Sequence, residues 1–171
     1  MRNLHKISAS IDEFNALIMR LVAWLSLGMV MMQIFVVVLR YVFGPGSIQI
    51  QESIIYMHAI LFMLAASGTY LADEHVRVDI FYRSMNPRRQ AMVNLFGCLF
   101  FLLPFCFLII YSAHDYVALS WRVKEGSRET GGIQAIYLLK TVIPLMGGLL
   151  MLQGVSQIIK SLGILTFKED R

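Results

Sequence analysis

The sequence predicts an all-α integral membrane protein: four transmembrane helices with an N-terminal amphipathic extension, both termini in the cytoplasm (N-in/C-in). Three observations carry this. The 171 residues are 57% hydrophobic and only 15% charged, where ordinary globular chains carry roughly 25% charge. The charges collect at the ends of apolar blocks of roughly 20 residues, the length a helix needs to cross a hydrocarbon core. Lys and Arg are also divided unevenly between alternate connections, as the positive-inside rule requires. In such a chain the net charge of +4 marks membrane flanks and headgroup contacts, so membrane lipids are expected partners and no nucleic acid is.

Residues 1–171 read as a single four-span domain, with spans at about 21–39, 54–71, 91–113 and 141–159. Ser10-Ile-Asp-Glu13 has the form of a capping box, with Asp12 and Glu13 suited to a positive helix start. Ile11, Phe14, Leu17, Ile18 and Leu21 follow at helical spacing, which predicts amphipathic first turns lying on the membrane surface. Leu21 to Leu39 is free of charge between Arg20 and Arg40 and rises about 28 Å. The segment is too long for a signal-peptide core and lacks an Ala-x-Ala site, so it is expected to be a retained span.

Gly44-Pro45-Gly46 breaks that helix, and Ser47 is placed to cap the next. Span two carries Ala65/Thr69 and Gly68/Ala72 as small-xxx-small pairs, which allow another helix to approach closely. The connector 72–90 is expected to be cytoplasmic, with Asn86-Pro87 capping span three. Pro104 predicts a kink there, and a helix continuing through Trp121 would reach about 50 Å, more than the bilayer needs. Arg122 to Gly132 reads as a periplasmic loop. Span four, from Thr141, contains Pro144, Gly147, Gly148 and Gly154, which predict a bent, closely packed helix, with a frayed polar tail from Ser161.

Orientation follows from the basic residues. Arg2, Lys6, Arg20, Arg77, Arg83, Arg88, Arg89, Lys160, Lys168 and Arg171 fall on one side; Arg40, Arg122, Lys124, Arg128 and Lys140 fall on the other. The first side is assigned to the cytoplasm.

Catalytic and metal chemistry find little support. Cys98 and Cys106 lie eight positions apart in one block, about 12 Å along a helix, too far for a disulfide. No Cys-x-x-Cys pair occurs. No span has a carboxylate at its centre, which argues against a stand-alone small exporter. Glu52 and Asp115 lie at outer ends, read either as mechanistic or as solvated and paired with Arg40 or Lys140. His58 and His114 fall in the outer half and admit two readings, a bis-histidine haem in a cytochrome b-like membrane anchor or hydrogen bonds to neighbouring helices. Arg40 and Lys140 are expected to snorkel to headgroups, and Tyr41, Phe43, Tyr56, Trp121 and Tyr137 to form an aromatic belt. The run His75-Val-Arg-Val-Asp79 is either a plain topogenic loop or an ordered, hydrogen-bonded elbow.

Three motifs in order carry a family resemblance. Arg40-Tyr41-Val-Phe-Gly44 with Ser47 and Glu52 resembles the end of the first span in the small membrane subunit of tripartite ATP-independent periplasmic (TRAP) transporters. Gly68 with His75, Arg77 and Asp79 resembles that family's signature after its second span, and Gly131-Gly132, Tyr137, Lys140 and Ile143-Pro144 its fourth-span entrance. Gln49 departs from the Trp that many members carry three residues before the glutamate. The resemblance implies a non-enzymatic small permease subunit of the bacterial inner membrane. Its implied partners are a large membrane subunit, which takes up a small organic acid with sodium ions, and a periplasmic substrate-binding protein that delivers the acid. Substrate and sodium would bind in the large subunit, leaving this chain without cofactor, metal or catalytic residues.

Overall fold

The computed structural model describes residues 2–44, 46–75 and 82–166. They form four helices long and apolar enough to cross a membrane and, among the described residues, no strand. Helix α1 spans Arg2–Val38 and closes in a π turn, Leu39–Phe43. Helix α2 is Ile48–Leu71, α3 is Pro87–Val123 and α4 is Ile136–Thr166. Helix α4 is the hub, packing on each of the other three, and α1 also packs along α2.

All four helices extend past the spans predicted from charge. The capping box at Ser10 does not start a helix, because α1 already begins at Arg2 and Ser10 lies in its interior. Nor is the first part of α1 built like a surface helix. Its buried residues are Ser8 and Asn15, while Leu4, Ile7, Phe14 and Leu17 are about half exposed. The polar side faces the protein because α4 offers polar partners there. Likewise α4 does not fray at Ser161, which is buried, and the helix runs on to Thr166. Lys140 lies within α4 near its start, so this helix begins before its charge-free run does.

Pro104 acts through the turn that precedes it. Proline has no N–H for the carbonyl four residues earlier, and α3 passes through a π turn at Cys98–Leu102, where the Leu103 N–H bonds to the Cys98 carbonyl. Pro144 is accommodated inside α4, which continues as one helix.

The glycines mark the tightest crossings. A Cβ on Gly68 would lie 2.5 Å from Met19 Sδ, so the small-residue face of α2 is occupied by α1 of the same chain. A Cβ on Gly147 would lie 2.9 Å from Ile110 Cγ1, and one on Gly154 2.9 Å from Leu102 Cδ2, which brings α4 close to α3 as predicted. Gly148 faces open space.

Candidate functional site

The chain's polar chemistry gathers at the two ends of the bundle. At the end away from the termini, the connector between α3 and α4 is folded and latched. Helix α3 ends in paired Schellman hydrogen bonds, Glu125 N–H to Ser120 O at 3.0 Å and Lys124 N–H to Trp121 O at 3.4 Å. Lys124 takes the left-handed conformation that this motif usually gives to glycine, φ 50°. Its ammonium lies 4.6 Å over the Trp121 ring and 4.8 Å over Tyr137, which favours that placement. Trp121 in turn donates to Thr141 Oγ1 at 2.8 Å.

Glu52, at the start of α2, closes this connector. Its carboxylate accepts from the Ser127 hydroxyl and, at 2.5 Å, from the Ile133 N–H. Gly132 is needed for the approach, since a Cβ there would lie 2.3 Å from Ser127 Oγ and 2.7 Å from Glu52 Oε1. Gly131 before it has φ +85°, a conformation open to glycine. Glu52 therefore pairs with neither Arg40 nor Lys140.

Lys140 does not reach for headgroups as a snorkelling lysine would. It forms an ion pair with Glu125, sits 3.9 Å over the Tyr116 ring, and its side chain is only 14% exposed. The Lys140 ammonium beside Glu125 holds that carboxyl below the usual carboxylate range. Arg40 and Tyr41 stand in the exposed π turn that ends α1. Ser47 occupies the N-cap of α2, but its hydroxyl makes no capping bond.

The opposite end holds a network that no sequence motif announced. Asn15 Nδ2 donates to Gln153 Oε1 at 2.7 Å, and Gln153 Nε2 donates to Asp12 Oδ1 at 2.9 Å. Ser156 donates to the same oxygen at 2.7 Å and shares a 2.7 Å hydroxyl contact with Ser8. Lys160 completes it with an ion pair to Asp12 Oδ2 at 2.6 Å. Asn15, Gln153 and Ser156 are essentially fully buried. One signal was available: Ser8, Asp12 and Asn15 recur at helical spacing, as do Gln153, Ser156 and Lys160.

The connector between α2 and α3 is ordered where it is described. Helix α2 ends in a second Schellman pair, Glu74 N–H to Thr69 O at 3.1 Å and Asp73 N–H to Tyr70 O at 3.2 Å. His75 packs edge-on against Tyr70, whose hydroxyl meets Cys98 Sγ at 2.8 Å. Asn86 caps α3 through a 2.9 Å bond from the Arg89 N–H, with Pro87 in the first turn, as the sequence predicts. Arg77 and Asp79 lie outside the described residues.

Of the motif residues, the fold brings Glu52 and Gly132 together, with Gly131 in the same latched connector and Lys140 reaching its Glu125 from α4. Gly68 serves the α1–α2 crossing, Pro144 lies inside α4, and His75 belongs to the other connector. His58 stacks on Phe62, and the exposed His114 contacts its neighbour Asp115 at 3.1 Å. The fold and its two clasps define a multi-pass membrane component in which Asp12, Lys160, Glu52, Glu125 and Lys140 join one segment of the chain to another.

The family profile described as tripartite ATP-independent periplasmic transporters, DctQ component, matches residues 16–163, and the chain belongs to that family. It is the small membrane component of such a transporter, located in the bacterial inner membrane, and its family associates with the other components. No curated protein and no solved structure matches the chain significantly.

Proposed function

We propose that the chain is the non-catalytic scaffold of a TRAP importer. It holds a large membrane subunit that takes up a small organic acid with sodium ions, delivered by a periplasmic binding protein. Family membership over residues 16–163 is the observation that carries this reading. The use of polar groups agrees with it: Asp12, Lys160, Glu52, Glu125 and Lys140 are all engaged in contacts within the chain. Substrate and sodium sites then belong to the large subunit, and this chain needs no cofactor. In this reading both termini face the cytoplasm, and the Arg122–Gly132 connector faces the periplasm, where the binding protein docks.

Tagged chain expressed with its neighbouring transporter genes should co-purify a large polytopic partner, and deleting the chain should abolish sodium-driven acid uptake. Uptake that persists without the chain, or a chain that purifies alone from cells expressing all components, refutes the proposal.

A further inference from the structure

We infer that the bundle crosses the bilayer obliquely, so that its lipid-covered belt runs high on α1 and low on α3. Two independent rulers disagree in level across the bundle. Packing contacts show which residues of different helices lie side by side. Charge-free runs show where each helix meets hydrocarbon.

The first ruler comes from side chains that touch. Asn15 meets Gln153 and Asp12 meets Ser156, joining α1 to α4. Gly154 faces Leu102 and Gly147 faces Ile110, joining α4 to α3. Through α4, Phe14 is therefore level with about Leu102, and Met31 with about Leu119. Gly68 facing Met19 and Gly28 facing Met57 set the same scale for α2.

The second ruler comes from the sequence. The charge-free runs 21–39, 54–71, 141–159 and 91–113 have midpoints near Val30, between Phe62 and Met63, and at Leu150 and Leu102. Projected onto α1, those midpoints fall near Val30, Trp24, Ile18 and Phe14 for α1, α2, α4 and α3. An upright bundle would put all four at one level. Instead they descend steadily in the order in which the helices pack, from α1 through α2 and α4 to α3.

The drop between α1 and α3 is about 16 residues, or roughly 24 Å of helix. With α4 between them, the axes of α1 and α3 lie up to about 20 Å apart, at 8–10 Å per packed pair. The ratio corresponds to a tilt on the order of 50°, steeper than the ~20° average for membrane helices.

Depth measured at matched positions tests the inference. Phe14 and Phe101 are both exposed and nearly level along the bundle, as are Met31 and Leu119. Single spin labels at Phe14→Cys, Phe101→Cys, Met31→Cys and Leu119→Cys would be read in the full chain in lipid nanodiscs. Cys98 and Cys106 are buried in the fold, and unmutated protein sets their labelling background. The ratio of collision rates with oxygen and with a water-soluble nickel chelate reports depth and largely cancels local shielding.

The oblique arrangement places the label at Phe101 deeper than that at Phe14 by about 15 Å, and the label at Met31 deeper than that at Leu119 by a similar distance (helical rise projected at the tilt). Leu17→Cys with Phe105→Cys gives a replacement for the first pair should a label disturb it. Equal depth within each pair, or α3 deeper in both pairs, overturns the inference.

Discussion

Gln153→Leu isolates the buried network between α1 and α4. The change removes two hydrogen bonds, from Asn15 at 2.7 Å and to Asp12 at 2.9 Å. Asp12 keeps Ser156 and Lys160. Asn15 keeps nothing: its Oδ1 already lacks a partner, and it is wholly buried. Interhelical hydrogen bonds in membranes average about 0.6 kcal/mol, with a maximum near 1.7, and stranding a buried polar group costs about 1–3 kcal/mol. The single variant should therefore lose roughly 2–3 kcal/mol of stability. Asn15→Leu/Gln153→Leu removes the stranded group as well and should recover to within about 1 kcal/mol of the parent, since replacing both partners by apolar groups is close to neutral. Reversible unfolding in mixed micelles or steric trapping would measure all four corners of the cycle. A Gln153→Leu protein within about 0.5 kcal/mol of the parent, or additive single and double changes, would refute the view that the network holds α1 to α4.

Three further outcomes follow from the other contacts. Gly68→Leu forces a side chain into the space of Met19 and should cost about 1–3 kcal/mol by overpacking, seen as a lower unfolding midpoint; an unchanged midpoint would show that α1 and α2 part easily. Gly132→Ala should loosen the latch between Glu52 and the α3–α4 connector, raising amide exchange at Ile133 while the helices stay protected; protection at Ile133 equal to the parent's would count against the latch. Because Lys140 depresses Glu125 below its ordinary value of 4.5, that contact contributes stability above the ordinary value and loses it as pH falls through the lower folded one. Trp121 fluorescence should therefore stay level from neutral pH down to the ordinary value of 4.5 and change only below it, and Glu125→Gln should remove that step.

The helix count was legible because hydrocarbon imposes one simple rule, an apolar run of sufficient length, and Arg20, Arg40, Lys140 and Lys160 punctuate the runs plainly. The starts of α2 and α3 were legible from Ser47 and Asn86-Pro87, but the reach of α1 and α4 was not, because a helix does not stop where its charge-free run stops. Arg20 and Lys160 lie inside α1 and α4, whereas the run of α3 to Val123 follows the helical pattern that continues through Trp121. Ser10-Ile-Asp-Glu13 satisfied the capping pattern and still failed, since tertiary partners on α4 took Asp12 and the helix had begun earlier. Glu52 and Lys140 stand out in the sequence, but their partners in the fold are Ser127, Ile133 and Glu125. Those choices depend on how the connector folds back, a non-local fact that spacing does not encode.

The distribution of burial explains why so thin a bundle needs clasps. In the most apolar window of α4, 39% of residues are buried, against 6% in α1 and 11% in both α2 and α3. Three helices therefore lean on one, each presenting most of its apolar surface outward. In lipid that surface gains nothing from packing inward, because the tails are as apolar as the side chains. Cohesion must then come from close contacts and from directional bonds. Close contacts occur at Gly68, Gly147 and Gly154; directional bonds gather at the Asp12–Lys160 and Glu52–Ile133 ends. Substitutions such as Phe62→Leu or Leu108→Ile, on outward faces, should leave the isolated chain's stability unchanged, and any effect they have on uptake would locate the surface covered by another transporter component.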